Sequence, residues 1–366
     1  MNIGIVGLPN VGKTTLFNAL AGAHAHAESY PFCTIEPNLG AVHVPDERLA
    51  RIAGVIKPKR VVPATVEFVD IAGLVKNAHQ GEGLGNQFLS HIRDVDAIAH
   101  VVRCFQDENV ADAHGTGQPR TDVEIVELEL MLADLATLER RLHSALRHAK
   151  SGDAHAAREA QLLERLQTVL QDGIPLRQHF VAEPPAHDDE PILREARFLT
   201  AKPIMYIANI GELLDDATRG ALDELRAHVE EEDAALLTVN AEIEAELAEL
   251  SPTERREFQD ELGIDVHGLH DVVAAGYRLL DYVSFYTIVS DETRAWAVAR
   301  GTTVPAAAGK IHTDMERGFI RADVVKASDL LRCGSFAHAR EQGALRSEGR
   351  KYVVGDGDVI YVHFQA

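Results

Sequence analysis

Gly7-Leu8-Pro9-Asn10-Val11-Gly12-Lys13-Thr14 decides the fold. It fits the pattern G-x-x-x-x-G-K-[ST]. The apolar run Ile3-Gly4-Ile5-Val6 precedes it, and the helical pattern Thr14-Thr15-Leu16-Phe17-Asn18-Ala19-Leu20 follows. Strand, glycine-rich loop and helix in that order form a phosphate cradle. The glycines let the backbone wrap an anion so that successive N–H groups point inward, at a helix N-terminus whose dipole favours negative charge. Asn10, Val11, Gly12, Lys13, Thr14 and Thr15 are therefore the expected triphosphate contacts. Lys13 reaches the β- and γ-phosphates and stabilises the transferring charge, and the Thr14 hydroxyl ligates Mg²⁺.

A second apolar run, Ala64-Thr65-Val66-Glu67-Phe68-Val69, ends in Asp70-Ile71-Ala72-Gly73. A carboxylate at that strand tip can hold Mg²⁺ through water, and the Gly73 amide can meet the γ-phosphate. Between the two motifs, Pro31 and Pro37 bracket a loop that contains Cys33 and Thr34. Thr34 is the candidate to close the Mg²⁺ shell. Gln80-Gly81-Glu82-Gly83-Leu84-Gly85-Asn86 reads as a loop that nucleotide could order. Leu74 stands where many GTPases place a water-orienting glutamine, so hydrolysis is slow, uses another group or waits for a partner.

The strand Pro203-Ile204-Met205-Tyr206-Ile207-Ala208 ends in Asn209-Ile210-Gly211-Glu212. GTPases of this class read guanine with N-K-x-D. Here Glu212 replaces the aspartate and Ile210 the lysine, which weakens the selection for guanine and makes adenine acceptable. ATP is the expected substrate, with GTP as the alternative.

The chain has 366 residues, enough for two or three domains. It contains no run of eighteen or more apolar residues and no signal-peptide pattern, so no membrane span is expected and the cytoplasm is the default. Cys33, Cys104 and Cys333 lie too far apart for a disulfide framework or a zinc knuckle and read as buried apolar residues. The net charge is −21, yet residues 284–366 carry eleven Lys/Arg against ten Asp/Glu, which marks the tail as a separate unit.

These motifs resemble the YchF family of Obg-like, ribosome-binding ATPases. The likeness rests on residues 7–20, 30–38, 69–76, 81–89 and 307–322, with GDGDVIYVHF at 355–364. It implies that Asn10 to Thr15 bind the triphosphate, that Thr14 and Thr34 bind Mg²⁺, and that Asn209 and Ile210 contact adenine. Ala241 and Glu244 match the family's late base-side motif, with Asn240 where Ser or Cys is usual. The family often carries a histidine after its Cys-Phe dipeptide. Here Asp112 takes that position, and His114 follows two residues later.

The expected fold is α/β: a P-loop NTPase domain with an inserted helical coiled-coil hairpin and a C-terminal β-grasp TGS domain. Its boundaries are 1–118 with 200–283, then 119–199, then 284–366. The hairpin follows from Ile125, Leu128, Leu132, Leu135, Leu138, Leu142 and Leu146, which recur at threes and fours. A break at Ser151-Gly152-Asp153 precedes a second run from Leu162 to Leu170. The TGS assignment comes from the resemblance. Beside it, Lys310 to Arg321 mixes basic and aromatic residues as RNA contacts do. A ribosome or ribosomal subunit, with RNA, is the expected partner, and a monomer the expected state. Three rivals stay open: an Obg-like GTPase, an RNA-binding module with incidental slow hydrolysis, and a small-molecule kinase.

Overall fold

The run that precedes the glycine-rich loop becomes strand β1 (Asn2–Val6), with Ile3, Ile5 and Val6 fully buried. This computed structural model describes residues 2–25, 38–71, 84–106, 118–212, 215–251, 253, 254, 257 and 268–365. In chain order there follow α1 (Lys13–Ala25), β2 (Leu39–His43), α2 (Glu47–Ile56), β3 (Arg60–Val62), β4 (Thr65–Asp70), α3 (Leu84–Asp94) and β5 (Ala97–Cys104). Then come α4 (Pro119–Ala149), α5 (Ala154–Gln171), α6 (Leu176–Ala182), α7 (Glu190–Ala196), β6 (Ile204–Ile210), α8 (Asp216–Glu231), β7 (Ala235–Val239) and α9 (Ala241–Glu249).

The chain divides into two compact units, Met1–Gly40 with Glu67–Val272, and Ala41–Val66 with Val273–Ala366. The first is built on a sheet of order β2-β4-β1-β5-β6-β7. Strand β1 pairs in parallel with β4 and β5, β5 with β6, and β6 with β7. Strands buried on both faces read as continuous apolar runs, which is how Ile204-Met205-Tyr206-Ile207-Ala208 reads. Because the chain passes from β1 to β4 on one side and then to β5 on the other, a crevice opens outside the C-terminal ends of these strands.

Pro119 starts α4, where its missing N–H costs nothing, and four residues, 150–153, link it to α5. Asp153 caps α5 by accepting from His155 N and Ala156 N. Leu138 packs with Leu162, Leu163, Leu166 and Leu170. Leu128 and Leu146, two of the seven periodic positions, are exposed. The reason is that the first half of α4 buries a different face, Val123, Val126 and Leu130, and packs against β5 and α8. The insertion is thus rooted in the first unit.

That root carries a buried charge network. The Arg177 fork donates to Glu127 Oε1 at 3.0 Å and Oε2 at 2.6 Å, and also to Glu232 at 3.0 Å. Tyr206 OH donates to Glu232 at 2.8 Å. Burial works against the guanidinium charge, but Glu127, Tyr206 and Glu232 together outweigh it and hold the Arg177 pKa above its ordinary value. Nearby, Asp134 accepts from Leu199 N, Thr200 N and the Thr200 hydroxyl, all at 2.8 Å. Burial still raises its pKa to about 6.

In the second unit, strands β8 (Tyr282–Val289), β9 (Glu292–Ala299), β10 (Phe319–Lys326), β11 (Arg346–Glu348) and β12 (Asp358–Phe364) form a sheet of order β11-β10-β12-β8-β9-β3. The helix Val304–Ile311 covers one face through Val304, Ala307 and Ala308, against Phe285, Val324 and Ile360. Residues 41–66, placed with the nucleotide domain on sequence grounds, fall in this unit. β3 pairs in parallel with β9, and Arg48 donates to Asp356 at 2.6 Å. No helix among the described residues is long and apolar enough to cross a membrane.

Arg177→Met is expected to lower stability by about 3–5 kcal/mol, because two carboxylates stay buried without their counter-charge. Adding Glu127→Gln and Glu232→Gln should recover most of the loss. Urea unfolding midpoints test this, and equal midpoints for Arg177→Met and the parent would refute it.

Candidate nucleotide-binding site

The loop after β1 takes its shape from two glycines. Gly7 has φ +155°, and a Cβ there would stand 2.4 Å from Val101 O. Gly12 has φ +92°, and a Cβ would stand 2.3 Å from Asn209 Nδ2. Asn10, at φ 63°, lies exposed at the outer bend. Leu16 N then bonds Gly12 O at 2.9 Å and starts α1.

Lys13 is buried, and its ammonium donates to Leu8 O at 2.7 Å. Burial lowers its pKa to about 8, with the Asp70 carboxylate pulling the other way. Thr14 Oγ1 donates to Asp70 Oδ2 at 2.8 Å, so the two motifs meet. The other carboxylate oxygen, Asp70 Oδ1, is buried without a hydrogen-bond partner. A desolvated acceptor beside a threonine hydroxyl is the donor set a hard cation takes, so these residues fit Mg²⁺. His100, fully buried on β5, is kept neutral: burial, Arg177 and Lys13 push its pKa down to about 3.

Asn209 reaches the end of β6 with its side chain turned inward. Nδ2 donates to Val11 O at 3.0 Å, and Oδ1 accepts from Ala241 N at 3.0 Å. Both ends of the carboxamide are thus engaged by backbone, and one N–H remains for a base. Asn240 caps α9 by accepting from Glu242 N and Ile243 N at 3.1 and 3.0 Å. Glu244 accepts from Leu269 N at 3.2 Å, holding the helix Gly268–Leu279.

Around these groups lies a cavity of about 950 Å³. Asn10, Gly12, Lys13, Thr14 and Thr15 line one side, and Asn209, Ile210, Gly211 and Glu212 another. Phe105 and Gln106, beyond β5, Asp215 and Thr218 at the start of α8, and Asn240 to Glu242 complete it. Arg103 steadies Phe105, donating to its carbonyl at 3.2 Å with its guanidinium 4.5 Å from the ring centroid. Sequence reasoning missed Phe105. Its signal was position, directly after a parallel strand at the edge where ligands bind.

Most of the expected site residues therefore converge, with Val11 buried beneath the cavity. Thr34, Gly73, Leu74, Cys33, Asp112 and His114 lie outside the described residues. Cys104 and Cys333 are buried, and burial pushes the Cys104 thiol up to about 12. The aromatic of the Lys310–Arg321 stretch, Phe319, is packed in the core of the second unit and presents no ring for stacking.

A family profile described as 50S ribosome-binding GTPase matches residues 2–127. Another, YchF-GTPase_C, described as a protein of unknown function (DUF933), matches residues 282–365. The Ribosome-binding ATPase YchF of Bacillus subtilis (strain 168) is 45% identical over 366 residues, covering 100% of this chain and 99% of the relative. The protein of the same name from Escherichia coli O157:H7 is 47% identical over 358 residues, covering 98% and 97%. The chain belongs to the YchF family. The solved structure of the Schizosaccharomyces pombe YchF GTPase superposes with a TM-score of 0.86 at 32% identity, covering 99% of this chain and 97% of that one. The YchF likeness thus includes the strand order that gathers the cavity.

Asn209→Ala leaves the Ala241 N–H and the Val11 carbonyl unpaired in the interior. It should cost about 1–3 kcal/mol of stability and weaken triphosphate-analogue binding at least tenfold. Unfolding midpoints and calorimetric titration check the two effects, and an unchanged affinity would show that the brace does not shape the site.

Lys13 supplies a pH test. Below about 8 its ammonium is charged in the free protein. Above that pH the amine is neutral and must take up a proton when triphosphate binds, so affinity falls with rising pH, by up to tenfold per pH unit. Titration in buffers of different ionisation enthalpy should show proton uptake at alkaline pH, and none would refute the assignment.

Proposed function

We propose that this chain is a Mg²⁺-dependent P-loop nucleoside triphosphatase that hydrolyses ATP to ADP and phosphate and associates with the ribosome under nucleotide control. The observation that carries the reading is the constellation Lys13–Thr14–Asp70, with one carboxylate oxygen buried and unpaired. The bacterial relatives' name, Ribosome-binding ATPase, supports the substrate and the partner.

The backbone N–H groups from Asn10 to Thr15 hold the phosphates, and Lys13 stabilises charge that develops between the β- and γ-phosphates. Thr14 and Asp70 would hold Mg²⁺, with Thr34 the third ligand expected from the sequence, and the Gly73 amide is the group the sequence assigns to the γ-phosphate. When bound, the cation neutralises charge on the β- and γ-oxygens. Ile210 and the remaining Asn209 N–H meet adenine, against the wall formed by Phe105. Leu74 orients no water, so intrinsic turnover is slow until a partner completes the site. On this reading α4 and α5 form a coiled-coil arm, residues 284–366 a TGS-type module, and the protein works as a cytoplasmic monomer.

A GTPase is the second reading. The name of the fungal relative favours it. Calorimetric titration with non-hydrolysable ATP and GTP analogues in Mg²⁺, beside Lys13→Ala, separates the two. ATP-analogue binding at least tenfold tighter, about 1.4 kcal/mol, is expected. Equal or GTP-favoured binding would overturn the ATP assignment and leave the phosphate site standing. Binding unaffected by Lys13→Ala would overturn the site itself.

A further inference from the structure

Asn240 is held by one end of its carboxamide. It caps α9 with φ −97° and ψ 99°, and its Oδ1 accepts from Glu242 N at 3.1 Å and Ile243 N at 3.0 Å. Two N–H groups on the oxygen identify which end of the amide is which. They leave Nδ2, with its two hydrogens, as the end that faces away from the helix amides. That nitrogen has no partner among the described residues. The side chain is nevertheless half-buried and lines the nucleotide cavity.

The sheet sets this donor beside the base-side wall. Strands β6 and β7 run parallel with Asn209 opposite Val239. Ile210, the last residue of β6, and Asn240, the first after β7, therefore leave the sheet next to each other. The adjacent backbone donor is already engaged, since Ala241 N–H goes to Asn209 Oδ1. Asn209 keeps one N–H, which suits N7, an acceptor that both purines carry. Position 6 is where the purines differ. Adenine presents an amino donor there, whereas guanine presents an oxygen acceptor. Hypoxanthine has the same oxygen without the 2-amino group of guanine.

We propose that Asn240 is a specificity-determining residue whose Nδ2 donates to an oxygen at position 6 of the base, so that the site accepts 6-oxopurine triphosphates beside ATP. A donor aimed at an acceptor gains a hydrogen bond, and the same donor against the adenine amino group gains none. Ile210, being apolar, leaves that choice to its neighbour. The inference rests on the nucleotide-site reading above and widens its substrate class.

The test is calorimetric titration of the whole protein in Mg²⁺ with non-hydrolysable analogues of ATP, GTP and ITP. Asn240→Gly removes the donor at a small cost to the helix cap. It should weaken the GTP and ITP analogues about fivefold relative to the ATP analogue, the worth of one neutral hydrogen bond. Asn240→Asp keeps the capping oxygen and replaces the donor with an acceptor, so it should shift the ratio further in the same direction. Equal weakening of all three analogues, or an unchanged ratio in both variants, overturns the proposal and leaves Asn240 as a helix cap alone. The ATP assignment fails separately. A parent that binds the three analogues equally, with the ratio shifting in the variants, removes the ATP preference and leaves the role of Asn240. A parent that favours ATP, with the ratio unmoved, removes that role and leaves the ATP preference.

Discussion

One carboxamide holds the nucleotide site in register. Asn209 takes the carbonyl of Val11 with its nitrogen and the N–H of Ala241 with its oxygen, so the loop after β1 and the start of α9 are fixed to the end of β6 by a single side chain. The brace is buried, where an unmade hydrogen bond costs most, and so the three segments have little freedom to separate. Gly12 belongs to the same constraint. Its missing Cβ is the space that Asn209 Nδ2 occupies, so the glycine serves a neighbouring amide as well as a backbone turn.

The phosphate cradle was legible in the sequence because its physics is local. A strand, a glycine-rich bend and a helix start follow one another without interruption, and the Asp70 motif adds a strand tip at a plausible distance. What was not legible depends on which strands become neighbours. Asn209 could be placed at a strand end, but its inward bonds require β6 between β5 and β7. Glu244 matched a base-side motif, yet its carboxylate reaches the backbone of Leu269, 25 residues away. The periodic leucines of α4 predicted one apolar seam. The helix instead buries two faces in succession, so Leu128 is exposed while Val126 and Leu130 are buried.

Electrostatics divide α4 in the same way as its packing. Toward its start, Glu127 joins Arg177, Glu232 and Tyr206 in a buried network that ties the insertion to the central sheet. Removing one charge there leaves its partners stranded in a poor dielectric. Toward its end the cations stand in water, where substitution disturbs little of the fold. One helix thus carries a buried charge network toward its start and, toward its end, an exposed basic face opposite the leucines that pack on α5.

Residues 41–66 fall in the second unit although they are encoded between the glycine-rich loop and Asp70. Lys59 and Asp291, joined at 2.8 Å, stand 232 positions apart in the chain. During synthesis, therefore, the segment that leads from one phosphate-binding element to the other emerges long before the strand that will pair with it. The first unit has all its residues once Val272 has emerged, whereas the second waits for the last strands, and a break anywhere from residue 67 to residue 271 divides both. The interleaving makes the second unit the later to mature, with the chain's final strands closing a structure begun near its first.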